Sequence, residues 1–301
     1  MRLGVHLPQW GPAADRRGVL RVARAAEASG LDSVWVADHI VFPTRSASSY
    51  PYRKGGVPFR AEDGFLEALT TLAVVAGATE RVDLGTSVLV LPMREPLLVA
   101  KSIATLDVLS GGRTSIAIGA GWWEEEFAAV GAPFAGRGLR LDAQLEVLRS
   151  AWSTGTVARA AEPFRTGEVA CLPRPVRPGG PTLWSGGSGR AAFRRAVTLT
   201  DGWHGVGSRV AAIEAARDAL AEAARVAGRS GPVPLSTSAG LGRSTAETTE
   251  RLSALRDAGV AQVVLNIGDK DTPVDEVCRT IEQLGHEVRP LLTTPLSHSS
   301  P

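Results

Sequence analysis

The sequence has little of several features that mark whole classes of protein. Only two cysteines occur in 301 residues, Cys171 and Cys278, and they lie far apart. This spacing argues against a disulfide framework and against a cysteine-based zinc site. No run of 18 apolar residues is present, and residues 1–10 lack the basic and apolar regions of a signal peptide. We therefore expect a cytoplasmic protein that does not enter a membrane.

Concentrated charge and familiar short motifs are absent as well. The 33 basic and 31 acidic residues are mixed along the chain and give a net charge of +2. Phosphate backbones need clustered positive charge, so we expect a small-molecule substrate and no nucleic-acid partner. The chain has no H-E-x-x-H, no G-x-S-x-G and no G-x-G-x-x-G after its first strand. A metal site, a serine hydrolase and a dinucleotide-binding domain are therefore not predicted.

Short apolar segments alternate with amphipathic ones along the whole chain, which predicts eight strands, each followed by a helix. The predicted strands are 3–8, 33–37, 82–90, 114–119, 182–185, 202–206, 233–239 and 262–266. The predicted helices are 16–28, 65–78, 95–109, 137–152, one beginning near 188, 209–227, 245–258 and 274–284. Parallel strands need crossover connections, and eight such units favour a closed (β/α)₈ TIM barrel.

Two segments interrupt this regularity. The first is residues 120–136, which are expected to be irregular before the helix at 137. Residues 153–181 are rich in Pro and Gly and are interpreted as an insertion with a short hairpin around 168–172. The barrel is predicted to form one domain over residues 1–290, followed by a loose tail over 291–301.

The active site of such a barrel lies where the strands end. Asp38 and His39 follow the second strand, where a carboxylate beside an imidazole can exchange protons near neutral pH. The alternative is that Asp38 caps the next segment and His39 only packs. His6, on the first strand, is interpreted as a buried neutral histidine.

Glycine-rich turns follow two other strands. Gly119, Ala120 and Gly121 leave room for a flat ring, and Gly186, Gly187 and Ser188 precede a helix whose N-terminus can bind an anion. Each segment is equally explained as a tight turn. The run Glu124–Glu126 is interpreted as an exposed acidic first helical turn.

Four longer segments together resemble the luciferase-like monooxygenase superfamily, and more narrowly its deazaflavin-dependent branch. They are residues 30–43, 84–113, 118–138 and 182–203, and the resemblance covers roughly residues 1–206. It implies a luciferase-like barrel that binds coenzyme F420, and helix packing into a homodimer.

The resemblance also assigns roles to residues. Asp38 and His39 would lie beside the deazaflavin ring, with His39 as proton donor or acceptor and Asp38 setting its tautomer. A non-proline cis peptide between Ser87 and Val88, in the motif that begins at Thr86, would support the ring from behind. Further cofactor contacts would come from Gly119, Ala120, Gly121, Gly186, Gly187 and Ser188.

One position departs from the pattern of the sugar-phosphate dehydrogenases in this branch, which carry a glutamate where this chain has Trp122. We therefore expect no sugar phosphate as substrate, and an apolar or aromatic pocket instead. Its candidate residues are Trp10, Phe42, Tyr50 and Trp122, with Tyr52 in the same loop.

The chemistry implied is hydride transfer between coenzyme F420 and a small, partly apolar substrate. Two alternatives stay open. One is a monooxygenase that uses flavin mononucleotide (FMN) on the same fold, and the other is a flavin-binding relative without catalysis.

Overall fold

The computed structural model describes residues 1–51, 57, 60, 62–158, 164 and 167–293. Within these residues, eight parallel strands close into a barrel in the order β1, β10, β9, β8, β7, β4, β3, β2. The strands are β1 (Arg2–His6), β2 (Ser33–Val36), β3 (Asp83–Val90), β4 (Thr114–Gly119), β5 (Thr156–Val157), β6 (Val169–Ala170), β7 (Thr182–Gly186), β8 (Gly202–Val206), β9 (Leu235–Gly240) and β10 (Val260–Asn266). Strands β5 and β6 pair with each other, antiparallel and outside the barrel.

Helices connect the barrel strands and cover the outside of the barrel. They are α1 (Arg16–Ala28), α2 (Ala68–Ala76), α3 (Pro96–Ser110), α4 (Glu124–Ala129), α5 (Arg137–Thr154), α6 (Arg190–Thr198), α7 (Val210–Ala227), α8 (Thr245–Asp257), α9 (Val274–Gln283) and α10 (Arg289–Thr293). A 3₁₀ turn (Leu91–Met93) precedes α3, and a π-helical turn (Leu284–Val288) joins α9 to α10. The luciferase-like (β/α)₈ barrel predicted from the sequence is confirmed.

Local sequence signals explain where several helices begin and end. Asp15 caps α1 by accepting a hydrogen bond from the Gly18 amide at 2.6 Å. Glu95 caps α3 in the same way through Leu98, and α3 ends at Gly111 with φ +70°. The capping residues and the hydrophobic periodicity therefore indicate the same boundaries for these helices.

The apolar core has two main parts because each barrel strand is buried on both faces. A third, small cluster of Val90, Met93 and Phe127 lies at the end of β3. The larger part packs the outward side chains of the strands against the helices. The smaller part lies inside the barrel and consists of Trp35, Ala117, Trp184 and Val264, with Val88 packed against them. Val88 thereby reaches from the end of β3 into the interior of the barrel.

Three local expectations need correction. Helix α4 lies within residues 120–136, which were expected to be irregular before the helix at 137. No hairpin forms within residues 168–172. These residues contain only the strand β6, which pairs with β5 about twelve residues earlier in the chain. Residues 291–293 belong to α10, where Leu292 is buried and its carbonyl accepts a hydrogen bond from the N-terminal amine. Residues 294–301 of the predicted tail lie outside the described residues.

Two further properties concern only the described part of the chain. No helix there is both long and apolar enough to cross a bilayer. No group of three or more histidine, cysteine or acidic side chains there is placed to hold a metal ion.

The packing inside the barrel leaves no room for a side chain at Gly85, which can be tested. A Cβ at this position would overlap the indole of Trp35, which is fully buried and stacked on His204 with ring centroids 5.4 Å apart. We expect Gly85→Ala to lower the free energy of unfolding by about 1–3 kcal/mol, the usual cost of overpacking a core. Urea unfolding followed by circular dichroism measures it.

Gly240→Ala is the matched control, since a Cβ there would meet no atom within 4 Å. Equal unfolding free energies for the two variants would show that the indole does not need this space.

Candidate active site

Asp38 lies two residues after the end of β2, and its carboxylate forms a buried ion pair. Its carboxylate accepts hydrogen bonds from both Nη atoms of Arg94, each at 2.7 Å, and from the Val90 amide at 2.8 Å. The Asp38 side chain is 0% exposed and that of Arg94 is 12% exposed. Burial raises the pKa of the Asp38 carboxyl, while Arg94 and the Val90 amide oppose the rise. Asp38 thus ties the end of β2 to the end of β3.

His39 is oriented by a different carboxylate from the one expected. Its Nδ1 lies 2.8 Å from Oε2 of Glu126, and Oε1 of Glu126 accepts a hydrogen bond from the Ile40 amide at 2.7 Å. Both side chains are buried. The expectation that Asp38 sets the tautomer of His39 is therefore wrong, because the hydrogen bonds of Asp38 go to Arg94 and Val90.

The three consecutive glutamates of α4 lie in three different environments. Glu124 is exposed, as expected. The Oε atoms of Glu125 accept hydrogen bonds from Ser48, and the Ser48 hydroxyl lowers the pKa of Glu125 to about 2. Glu126 is buried against His39. The interpretation of the run as an exposed first turn is therefore wrong for Glu126, because successive helical residues point about 100° apart and the third glutamate turns towards His39. That geometry is the sequence signal for Glu126.

Aromatic rings surround His39. Phe42, Phe65, Trp122 and Trp123 have centroids 5.3–6.3 Å from its imidazole. Trp122 stacks on Trp123 at 4.8 Å and receives the edge of Tyr50 at 5.2 Å. Trp10 stacks on Phe65 at 5.9 Å.

Of the four aromatic residues predicted to form a pocket, Phe42 and Trp122 lie beside His39, whereas Trp10 packs on Phe65 and Tyr50 packs on Trp122. The sequence analysis missed Phe65 and Trp123. Tyr52 lies outside the described residues.

The end of β3 carries a cis peptide bond between Ser87 and Val88, as expected. The pairing register between β3 and β4 shifts at this point. A Cβ on Gly119 would lie 2.6 Å from Cγ2 of Val88, and a Cβ on Gly186 would lie 2.7 Å from its Cγ1. These two glycines, predicted to line a cofactor, make room first of all for Val88.

Other predicted cofactor residues have structural partners. Thr86 is fully buried and its hydroxyl donates to the Ala117 carbonyl at 2.8 Å. Ala120 packs against the core, and a Cβ on Gly121 would collide with Phe127 and Val90. Thr86 therefore has no exposed surface to offer a cofactor, whereas Ala120 and Gly121 are partly exposed.

Gly187 and Ser188 are exposed in the turn that begins at Gly186, and the turn ends at Gly189, directly before α6. Gly187 has φ +102°, and no side chain caps the helix. The amides at this helix start are therefore available to an anion, as the sequence suggested.

His204 and Ser87 extend the site into the barrel. His204 Nε2 lies 2.8 Å from the Ser87 hydroxyl oxygen, and Nδ1 lies 2.9 Å from that of Ser236. Burial lowers the pKa of His204 to about 3, so the ring is neutral at pH 7.

The ion pair at Asp38 makes a stability prediction. Asp38→Asn should lower the free energy of unfolding by about 3 kcal/mol, because the buried guanidinium of Arg94 would keep only the more distant and partly exposed carboxylate of Glu67, at 3.4 Å, as its counter-charge. The double variant Asp38→Asn/Arg94→Met should recover part of the loss in urea unfolding. The control Glu222→Gln breaks an exposed pair with Arg225 and should change little. A loss at Asp38 no larger than in this control would contradict the assignment.

Relatives of known sequence match between 56% and 62% of the chain. An uncharacterised protein of Mycobacterium tuberculosis (strain ATCC 25618 / H37Rv) is 35% identical over 188 residues, 62% of this chain and 64% of that protein. An F420-dependent glucose-6-phosphate dehydrogenase of Amycolatopsis mediterranei (strain U-32) is 32% identical over 175 residues, 56% of this chain and 46% of the other. An FMNH(2)-dependent dimethylsulfone monooxygenase of Pseudomonas putida is 28% identical over 177 residues, 57% and 48% of the two chains. Each match spans less than two thirds of the relative's length.

Among solved structures, an F420-dependent secondary alcohol dehydrogenase in complex with an F420-acetone adduct has the same fold. Its TM-score is 0.78 at 18% sequence identity, with 97% of this chain and 99% of that chain covered. The model of the luciferase-like monooxygenase family matches residues 1–277. With the closed barrel and these relatives, the match shows that the chain belongs to the luciferase-like monooxygenase family, whose members include both F420-dependent and FMN-dependent enzymes.

Proposed function

We propose that this protein is an F420-dependent oxidoreductase that transfers a hydride between the coenzyme and a small, partly apolar substrate. The observation that carries the proposal is the buried His39–Glu126 pair within a ring of aromatic side chains. Oxidation of an alcohol, or reduction of a carbonyl, moves a proton together with the hydride, so a positioned acid or base must stand beside the substrate.

The mouth of the barrel fits a planar cofactor with a phosphate. Val88 projects between Gly119 and Gly186, where any side chain larger than hydrogen would collide with it. Val88 therefore offers an apolar support for one face of a ring. The exposed turn before α6, including Gly187 and Ser188, offers backbone amides for the phosphate. When bound, coenzyme F420 supplies or accepts the hydride.

His39 would exchange the proton. Glu126 holds Nδ1, so a proton passed to or from a substrate would move through Nε2. The Glu126 carboxylate would accept the hydrogen bond of the Nδ1–H and so keep the imidazole in one orientation. The side chains of Trp122, Trp123 and Phe42 reduce the access of water to this step.

An FMN-dependent monooxygenase is the second candidate. It is supported by the 28% identity to the dimethylsulfone monooxygenase. Reduced flavin reacts with oxygen whereas reduced deazaflavin hardly does, so the cofactor decides between the two candidates.

Titration with each cofactor tests the proposal. We expect oxidised F420 to bind with a dissociation constant of about 1 µM or lower, which corresponds to about −8 kcal/mol, and FMN to bind at least about tenfold more weakly. Quenching of cofactor fluorescence measures both. Tighter binding of FMN would overturn the proposal in favour of the monooxygenase.

The role of Glu126 gives a second prediction. In neutral His39 the carboxylate should hold the proton on Nδ1, whereas an amide can present either its oxygen or its nitrogen to the ring. Glu126→Gln should therefore convert a single His39 tautomer into a mixture. Imidazole ¹⁵N chemical shifts at about pH 8.5 in histidine-labelled protein report the change.

Glu124→Gln is the matched control, since this neighbour on the same helix is exposed. It should leave the His39 tautomer as in the parent protein. An unchanged tautomer in Glu126→Gln would remove Glu126 from the proposed mechanism.

A further inference from the structure

The side chain of Ser87 points into the barrel near the end of β3. Gly85, two residues earlier on the same face of the strand, lies against the indole of Trp35. Trp35 and Trp184 belong to the apolar cluster that fills the inside of the barrel. Ser87 itself is partly exposed. Because the barrel is filled towards the other end of β3, the exposed part of Ser87 faces the mouth, beside Val88.

A row of hydrogen bonds crosses the barrel from the Ser87 hydroxyl. Its oxygen lies 2.8 Å from Nε2 of His204, and Nδ1 of His204 lies 2.9 Å from the hydroxyl oxygen of Ser236. The amide nitrogen of Gln262 donates to that same Ser236 oxygen at 3.4 Å. His204, Ser236 and Gln262 are buried and are paired in register on the adjacent strands β8, β9 and β10. We refer to these four residues as the interior hydrogen-bond chain.

The donors and acceptors of this chain follow from the rule that buried polar groups need partners. Ser236 is fully buried and its oxygen accepts from Gln262, so its single O–H is satisfied by donating to Nδ1 of His204. His204 is neutral at pH 7, because burial lowers its pKa to about 3. With Nδ1 accepting, the imidazole proton lies on Nε2 and is donated to the Ser87 oxygen. The O–H of Ser87 is thereby directed away from the chain.

The Ser87 hydroxyl makes no second hydrogen bond to any residue that the structure describes. Its O–H lies at the mouth of the barrel, next to the Val88 side chain that we propose as the support for the cofactor ring. Deazaflavin and flavin rings carry carbonyl oxygens and ring nitrogens that accept hydrogen bonds. A ring resting on Val88 would bring such an acceptor towards the Ser87 hydroxyl and give its proton a partner.

We propose that the Ser87 hydroxyl donates a hydrogen bond to the ring of the bound cofactor, and that His204 and Ser236 are positioning residues that set the direction of this bond. The inference rests on the proposed function, because it concerns the part of that site which holds the ring. Ser87 touches the cofactor, whereas His204 and Ser236 act through Ser87. The chain thus favours a heterocyclic ring with an acceptor atom over a hydrocarbon, which would leave the O–H of Ser87 unpaired.

The tautomer of His204 tests the direction of the chain in the protein without cofactor. Imidazole ¹⁵N chemical shifts at about pH 8.5, assigned by the signal lost in His204→Gln, should place the proton on Nε2. Ser236→Ala removes the donor to Nδ1 and should turn this single tautomer into a mixture. The matched control is Ser115→Ala, a buried serine of the barrel interior that accepts from Nε1 of Trp184. It should leave the His204 tautomer unchanged. A parent protein with the proton on Nδ1 would overturn the inference.

The affinity for oxidised F420, measured by cofactor fluorescence, tests the contact at Ser87. Ser87→Ala should weaken binding about fivefold, the effect of one lost hydrogen bond. Ser236→Ala should weaken binding about twofold in the parent and not at all in the Ser87→Ala background, since it acts only through Ser87. Ser115→Ala should bind F420 as the parent does. Full affinity in Ser87→Ala, or losses that simply add in the double variant, would contradict the proposed contact.

The same variants titrated with FMN separate this inference from the proposed function. If FMN binds in place of F420, the proposed function fails, while the same pattern of losses measured with FMN would support the role of Ser87. If F420 binds and the pattern is absent, the inference alone fails. Binding of neither cofactor at about 1 mM, about −4 kcal/mol, would overturn both.

Discussion

The buried ion pair between Asp38 and Arg94 is the interaction on which the rest of the site depends. One carboxylate accepts two hydrogen bonds from the guanidinium and a third from the amide of Val90. It thereby fixes the end of β2, which carries His39, against the end of β3, which carries Val88. A charge buried so completely persists only when paired, so the pair confines both strand ends to one arrangement.

Because Asp38 is paired with Arg94, Glu126 is the carboxylate that orients His39. This carboxylate reaches His39 from α4, a helix that follows β4 and also holds the loop at Ser48 through Glu125. Asp38 and His39 are adjacent in the sequence, which suggested that the Asp38 carboxylate orients the His39 ring. In the structure two different carboxylates hold Arg94 and His39. Asp38 joins the ends of β2 and β3, and Glu126 orients His39, the proposed proton carrier.

The order of strands and helices could be predicted from the sequence because the hydrophobic periodicity and the capping and turn residues indicate the same elements along most of the chain. The site could be predicted only in part. Asp38 and His39 are neighbours in sequence, which suggested a shared hydrogen bond, but their side chains leave the chain in different directions and find partners 56 and 87 residues away, Arg94 and Glu126. Partners so distant depend on the packing of α4 and of the 3₁₀ turn, which no local pattern specifies. Gly119 and Gly186 were predicted to contact a cofactor, and the structure shows that they make room for the Val88 side chain, which only the closed barrel brings between them.

The most direct test of this account is a crystal structure of the protein with oxidised F420. The account predicts that the deazaflavin ring lies against Val88 between Gly119 and Gly186, within reach of His39, and that the phosphate binds at the amides before α6. A ring bound away from Val88, or a His39 that turns from Glu126 when the cofactor binds, would contradict it.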